Sequence, residues 1–197
     1  MTLRVFRIFL WAIVAVVAIA GAATWFKQPM PTPQQETKII VGGAFSMTNH
    51  LGKAVTEKDY LGKPLALFFG FTYCPDICPT TLTRLTELMG KLGPDADKLQ
   101  VILVSVDPER DTPEILKSYL SSFDRRFAAL TGTAEQLASF AQGYRFHYEK
   151  VPQKSGDYTI DHSAGIYLYD AAGVFVGTLD PHESDSVVIS KLRLLLR

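Results

Sequence analysis

Leu65-Ala66-Leu67-Phe68-Phe69-Gly70-Phe71-Thr72-Tyr73-Cys74-Pro75-Asp76-Ile77-Cys78-Pro79 runs from an unbroken apolar, aromatic-rich segment into a short turn that holds both cysteines of the chain. A continuous apolar run of this kind suits a strand covered on both faces, since neither face has to meet water. From Pro79 onward Leu82, Leu85, Leu88, Met89 and Leu92 recur at spacings of three and four, the period of an amphipathic helix, and Gly93-Pro94 ends the pattern. The local order is therefore strand, cysteine turn, helix.

Downstream, Val101-Ile102-Leu103-Val104-Ser105-Val106 reads as a second buried strand, and Thr112-Pro113-Glu114 opens a helix with a capping residue followed by proline. Thr133 to Gln142 has helical character. Ile166 to Asp170 and Val174 to Leu179 flank Ala171-Ala172-Gly173 as a hairpin, and Ser184 to Leu196 closes as a helix. Upstream, Ala44 to Thr48 and Ala54-Val55-Thr56 flank the turn residues Asn49 to Lys53, the outline of another hairpin. Strands interleaved with helices predict an α/β fold. Its simplest form is a thioredoxin-like mixed sheet flanked by helices, with an N-terminal hairpin.

The chain has 197 residues, 47% of them apolar, which is enough for one good core and an appendage. A net charge of zero, with no lysine- or arginine-rich block, removes the electrostatic footprint of nucleic-acid binding. Two cysteines are too few for a disulfide scaffold, and their close spacing points to a local redox or metal site.

The first residues decide the compartment. Arg4 and Arg7 precede Ile8 to Phe26, a run without charge that includes Leu10, Trp11, Ile13, Val14, Val16, Val17 and Ile19, and Lys27 follows it. A helix needs about 20 apolar residues to cross the hydrocarbon, so the run is long enough, with Trp11 and Trp25 placed for the two interfaces. Two arginines before the run against one lysine after it put the N-terminus inside and the remainder outside. Ala18-Ile19-Ala20 and Ala20-Gly21-Ala22 would suit a signal peptidase, but the run exceeds the ~7–15 apolar residues of a signal peptide and favours an uncleaved anchor. Gln28 to Thr37, with Pro29, Pro31 and Pro33 among polar residues, reads as a tether. The expected division is 1–27 cytoplasmic N-terminus and transmembrane anchor, 28–37 linker and 38–197 folded domain. Without the features of a transit peptide, this fits a single-pass protein of a bacterial inner membrane with a periplasmic domain.

Between a buried strand and a helix start, unpaired backbone N–H groups and the helix dipole favour a thiolate. If the segment is helical, a four-residue offset puts the two Cα atoms about 6 Å apart, which permits either a disulfide or chelation of one ion. The spacing is one residue longer than the Cys-x-x-Cys of redox enzymes. Soft thiolates select Cu(I), whereas zinc ordinarily takes four ligands in a closed site, so two cysteines need a helper. Of His50, His147, His162 and His182, His162 stands apart because it precedes the strand near Ile166 and has Asp161 beside it to orient an imidazole. The plainer readings are a polar loop histidine for His162, surface positions for the other three, and an inert or disulfide-bonded cysteine pair. Met47 reads as core, and the charged loop Asp107-Pro108-Glu109-Arg110-Asp111 as solvated surface.

Gly70 to Leu82, then Ser105-Val106-Asp107-Pro108-Glu109-Arg110-Asp111-Thr112-Pro113, then Asp161-His162-Ser163-Ala164 leading into Tyr167-Leu168, together resemble the Sco/SenC family of copper-delivery proteins. The three motifs stand in the family's order, and the likeness covers the chain from about Phe45 to its end. The resemblance implies that Cys74, Cys78 and His162 bind one copper ion, with Asp107 and Asp161 behind them. It also implies a chaperone rather than an enzyme, loading copper into cytochrome c oxidase at the dinuclear centre of subunit II. Cu(I) is the expected cargo, with Cu(II) left open. An upstream periplasmic copper donor and a thiol reductant are the further partners it implies. A thiol-disulfide oxidoreductase that prepares the acceptor's cysteines, and a copper-responsive redox sensor, are the alternatives.

Overall fold

In chain order the strands are β1 (Ser46–Asn49), β2 (Ala54–Thr56), β3 (Leu65–Gly70), β4 (Gln100–Ser105), β5 (Phe127–Thr131), β6 (Tyr148–Pro152), β7 (Tyr158–His162), β8 (Ile166–Tyr169) and β9 (Phe175–Leu179). The helices of the same region are α1 (Ile77–Leu92), α2 (Pro113–Leu120), α3 (Ala134–Tyr144) and α4 (Asp185–Leu195). The structure, a computed structural model, describes residues 7–8, 10–13 and 42–197 apart from 155 and 164. Residues 7–8 and 10–13 are helical and exposed, and among the described residues no helix is long and apolar enough to cross a membrane. Most of the anchor expected over 8–26 lies outside the described residues, and the linker expected over 28–37 lies entirely outside them. Ile40–Arg197 is a compact unit of its own.

Seven strands form a mixed sheet in the order β2-β1-β5-β4-β3-β8-β9. β3 sits inside it, parallel to β4 and antiparallel to β8, and β4 runs parallel to β5. The expectation of a mixed sheet with flanking helices, an N-terminal hairpin and a C-terminal hairpin followed by a helix is met. Ala66, Phe68 and Phe69 of β3 and Val104 of β4 are fully excluded from water, as the unbroken apolar runs require. On α1 the buried stripe is Cys78, Leu82, Leu85, Leu88, Met89 and Leu92. The helix ends at Gly93, whose φ of +62° is open to glycine at little cost, and Pro94 then leads into a 3-10 turn. Arg84 fastens α4 to α1: its Nε meets Asp185 at 3.0 Å and its terminal nitrogens donate to the carbonyls of Pro181 and Glu183.

Two features depart from the expected outline. β5 is Phe127-Ala128-Ala129-Leu130-Thr131, whose alanines have low strand propensity; it is ordered by pairing with β4 on one side and β1 on the other. β6 and β7 form a separate two-stranded sheet that pairs with no strand of the larger one among the described residues. His162 is therefore the last residue of a strand, not a loop residue.

The loop after β4 is also unlike its expectation. Asp107 and Asp111 are fully buried. Asp111 accepts hydrogen bonds from the Thr72 amide (3.1 Å), the Thr72 hydroxyl (2.5 Å) and the Ser105 hydroxyl (2.6 Å). Burial holds its carboxyl above the ordinary aspartate range, with the Ser105 and Thr72 hydrogen bonds opposing. The folded state thus binds this proton more tightly than the unfolded chain does, so the contribution to stability is fullest below about pH 4 and is lost as pH rises through the raised value. Asp111→Asn keeps an acceptor for Thr72 without the charge. In urea unfolding, the parent is expected to gain stability relative to this variant between about pH 7 and about pH 4; a difference that stays flat with pH would refute the assignment.

Candidate metal centre

The cysteine turn and the 106–112 loop leave the sheet side by side, because Gly70 of β3 is in register with Ser105 of β4 and the Val106 amide donates to the Gly70 carbonyl at 2.9 Å. β8 enters antiparallel to β3 with Ile166 opposite Phe68, so the residues just ahead of Ile166 arrive at this same end. Three segments distant in sequence therefore meet at the carboxyl ends of the parallel strands, where α/β folds place their sites.

Cys78 lies in the first turn of α1 and is fully buried, whereas Cys74 stands in the turn ahead of the helix and is half-buried. The Cys78 amide donates to Cys74 Sγ at 3.4 Å, an N–H of the helix start spent on sulfur. For Cys78 the expected acidification is not found: burial above all pushes its thiol up, against a hydrogen bond with the Phe71 backbone. Proximity to a helix start helps a sulfur that keeps contact with water, and Cys78 has none.

Cys78 Sγ is 3.9 Å from His162 Nε2. His162 Nδ1 lies 3.0 Å from the Ser163 carbonyl, which can only accept, so Nδ1 carries the hydrogen and Nε2 presents its lone pair to Cys78. Histidine ligands commonly have this arrangement, the second nitrogen donating to a carbonyl that fixes ring and tautomer. Metal bonds of about 2.3 Å to sulfur and 2.0 Å to imidazole sum to about 4.3 Å, so one ion can reach both atoms. The edge of Phe71 packs on the imidazole, ring centroids 6.0 Å apart. Among the described residues no three or more His, Cys, Asp or Glu side chains stand close enough together to hold a metal ion as they are placed. What the geometry shows is one sulfur, that of Cys78, facing an imidazole nitrogen, with the second sulfur, that of Cys74, held at the Cys78 amide.

A profile of the SCO1/SenC family matches residues 33–197. The chain belongs to the SCO1/SenC family. The yeast mitochondrial protein SCO2 is 39% identical over 158 residues, covering 79% of this chain and 52% of that one, so the chain spans about half the length of this relative. Among solved structures, copper-bound ScoI of Bradyrhizobium japonicum is 46% identical with a TM-score of 0.73, covering 79% of this chain and 99% of that one. BsSco, described as having a disulfide switch and as a member of the Sco family of cytochrome c oxidase assembly proteins, is 25% identical, with a TM-score of 0.63 over 83% of this chain and 96% of that one.

The five residues singled out in the Sco-like motifs have different surroundings. Cys78 faces His162, and Cys74 Sγ accepts from the Cys78 amide. Asp161 does not stand behind the ring: alternation along β7 puts Tyr158, Ile160 and His162 on one face and Asp161, which is exposed, on the other. The Ser163 carbonyl holds the ring instead. Asp107 is buried and bonded to Arg110 and to the Tyr158 hydroxyl (2.8 Å). Met47 is core. His50 accepts from the Ala129 amide, His147 is exposed near Glu149, and His182 is exposed after Pro181. Sequence reasoning missed Asp111 and Arg110, although both lie inside a motif that carried the family likeness.

Gly70 makes room for the site. A Cβ there would stand 2.9 Å from Cys78 Sγ, 3.0 Å from Phe68 and 3.2 Å from Leu103. Gly70→Ala is expected to cost roughly 1–3 kcal/mol by overpacking, and Cys78→Ala in the same chain should recover part of that cost, since the sulfur is the nearest obstacle. Additive costs in thermal unfolding of the single and double variants would show that the sulfur is not what Gly70 accommodates.

Proposed function

We propose that this chain is a copper carrier, not an enzyme, in which Cys74, Cys78 and His162 hold one Cu(I) ion as cargo. The observation that carries the reading is the buried Cys78 sulfur facing the free Nε2 lone pair of His162, with Cys74 beside it at the helix start. Two thiolates and one imidazole form a soft donor set, and three donors leave the ion open to a fourth, incoming ligand. Delivery then proceeds by stepwise exchange with an acceptor's cysteines and histidines. Tyr73 and Ile77, 61% and 53% exposed, give the cysteine turn an apolar mouth that favours a protein acceptor over release of a free ion. Copper bound to one relative and the description of another as a cytochrome c oxidase assembly protein support the oxidase as destination; the dinuclear copper centre of subunit II is the acceptor that the resemblance to the Sco/SenC family implies. The uncharged run 8–26 would anchor the domain on the periplasmic side of a bacterial inner membrane.

The two free thiols support a second reading, a thiol-disulfide reductase. In that reaction Cys74 and Cys78 give two electrons and two protons to an acceptor disulfide, forming a Cys74–Cys78 bond as the acceptor becomes a dithiol. His162 would be dispensable to it.

Anaerobic titration of the reduced full chain in detergent with Cu(I), against a competing chelator, separates the two. One ion per chain is expected, with affinity falling at least ~10–100-fold in each of Cys74→Ala, Cys78→Ala and His162→Ala. Weak binding, or binding indifferent to His162→Ala in a protein that readily reduces a protein disulfide, would replace the carrier with the reductase.

A further inference from the structure

Among the described residues the β6–β7 hairpin that brings His162 to Cys78 has no backbone ladder to the main sheet, so side-chain contacts help to hold it in place. Ile160 enters the core, and Phe146, just ahead of β6, stacks on Phe69 with ring centroids 3.8 Å apart. At the other end of β7, about 13 Å along the strand from His162, Tyr158 lies on the same face and covers the guanidinium of Arg110, whose Cζ is 3.8 Å from the ring centroid. Tyr73 stands 4.7 Å from that same Cζ. One cation thus lies between a ring of the cysteine turn and a ring of the strand that carries His162.

Arg110 is held through two of its three nitrogens, while the third, Nη2, is buried without a hydrogen-bond partner among the described residues. Its Nε donates to the buried Asp107 carboxylate, and one terminal nitrogen donates to Asp157 Oδ1 (3.2 Å) and to the Tyr158 carbonyl (3.3 Å). The Tyr158 hydroxyl returns to Asp107, and Lys150 of β6 pairs with Glu109 at 2.6 Å. Only 17% of the Arg110 side chain is exposed, so its attraction to the rings is little screened by water.

We infer that Arg110 is a positioning residue for His162, clamping the hairpin to the cysteine turn through Tyr158 and Tyr73 so that the imidazole stays within reach of the two sulfurs. The inference rests on the copper-carrier reading. It assigns Arg110 no contact with the ion.

The test is a double-mutant cycle on the full chain in detergent, reading Cu(I) affinity by chelator competition and, in the copper-free protein, amide exchange at Ile160 and His162. Arg110→Met is expected to weaken Cu(I) binding ~5–10-fold in the parent, less than ~2-fold when His162→Ala is already present, and to speed exchange at both amides. Tyr73→Leu, which leaves the Arg110–Asp107 pair intact, should act in the same direction if Arg110→Met unfolds the domain, and Tyr73→Phe should rescue because it keeps the ring. Equal losses with and without His162, or unchanged amide exchange, would overturn the clamp while leaving the carrier standing. If His162→Ala alone costs no affinity, the ligand assignment falls and the clamp's purpose falls with it.

Discussion

A buried aspartate accepting three hydrogen bonds holds the cysteine turn where it is. Asp111 takes the Thr72 amide, the Thr72 hydroxyl and the Ser105 hydroxyl, and so ties the exit of β3 to the exit of β4 at the point where both strands give way to loops. An aspartate in that position is costly to bury and rigid once satisfied. With Thr72 fixed, the next residues have little freedom: Cys74 is placed against the start of α1, and Cys78 is set beneath the turn against Gly70.

The third donor reaches the sulfurs by a different principle. His162 rides on a small exposed sheet whose strands pair only with each other among the described residues, and its placement depends on alternation. Every second residue of β7 faces inward, so one strand delivers a ring to Arg110, an apolar side chain to the core and an imidazole to Cys78. A one-residue slip of β7 against β6 would turn all three outward at once.

Much of this was legible in the residues themselves, and the failures share a cause. β3, α1, both hairpins flanking the larger sheet, and the helix starts at Thr112 and Thr133 were readable because each depends on local chemistry: apolar run, helical period, turn or cap. β5 was not, because an alanine-rich pentapeptide becomes a strand only through its neighbours. Asp107 and Asp111 looked like solvated surface because their partners Tyr158 and Thr72 lie 51 and 39 residues away along the chain. Asp161, adjacent to His162, was the obvious candidate to orient the ring, yet strand pleating separates neighbours, and the carbonyl of Ser163 has no signature in a sequence. The cysteines were plain. What surrounds them depended on long-range pairing.

The unequal burial of the two sulfurs gives the site a direction of approach. Cys74 meets solvent beside the apolar Tyr73, while Cys78 lies beneath it against Gly70. Of the two sulfurs, a reagent, ion or thiol coming from outside can therefore touch Cys74 directly, whereas Cys78 is closed to it as packed. The pair is a threshold and an inner seat rather than two equivalent hands, and traffic through it has an order set by packing before any chemistry begins.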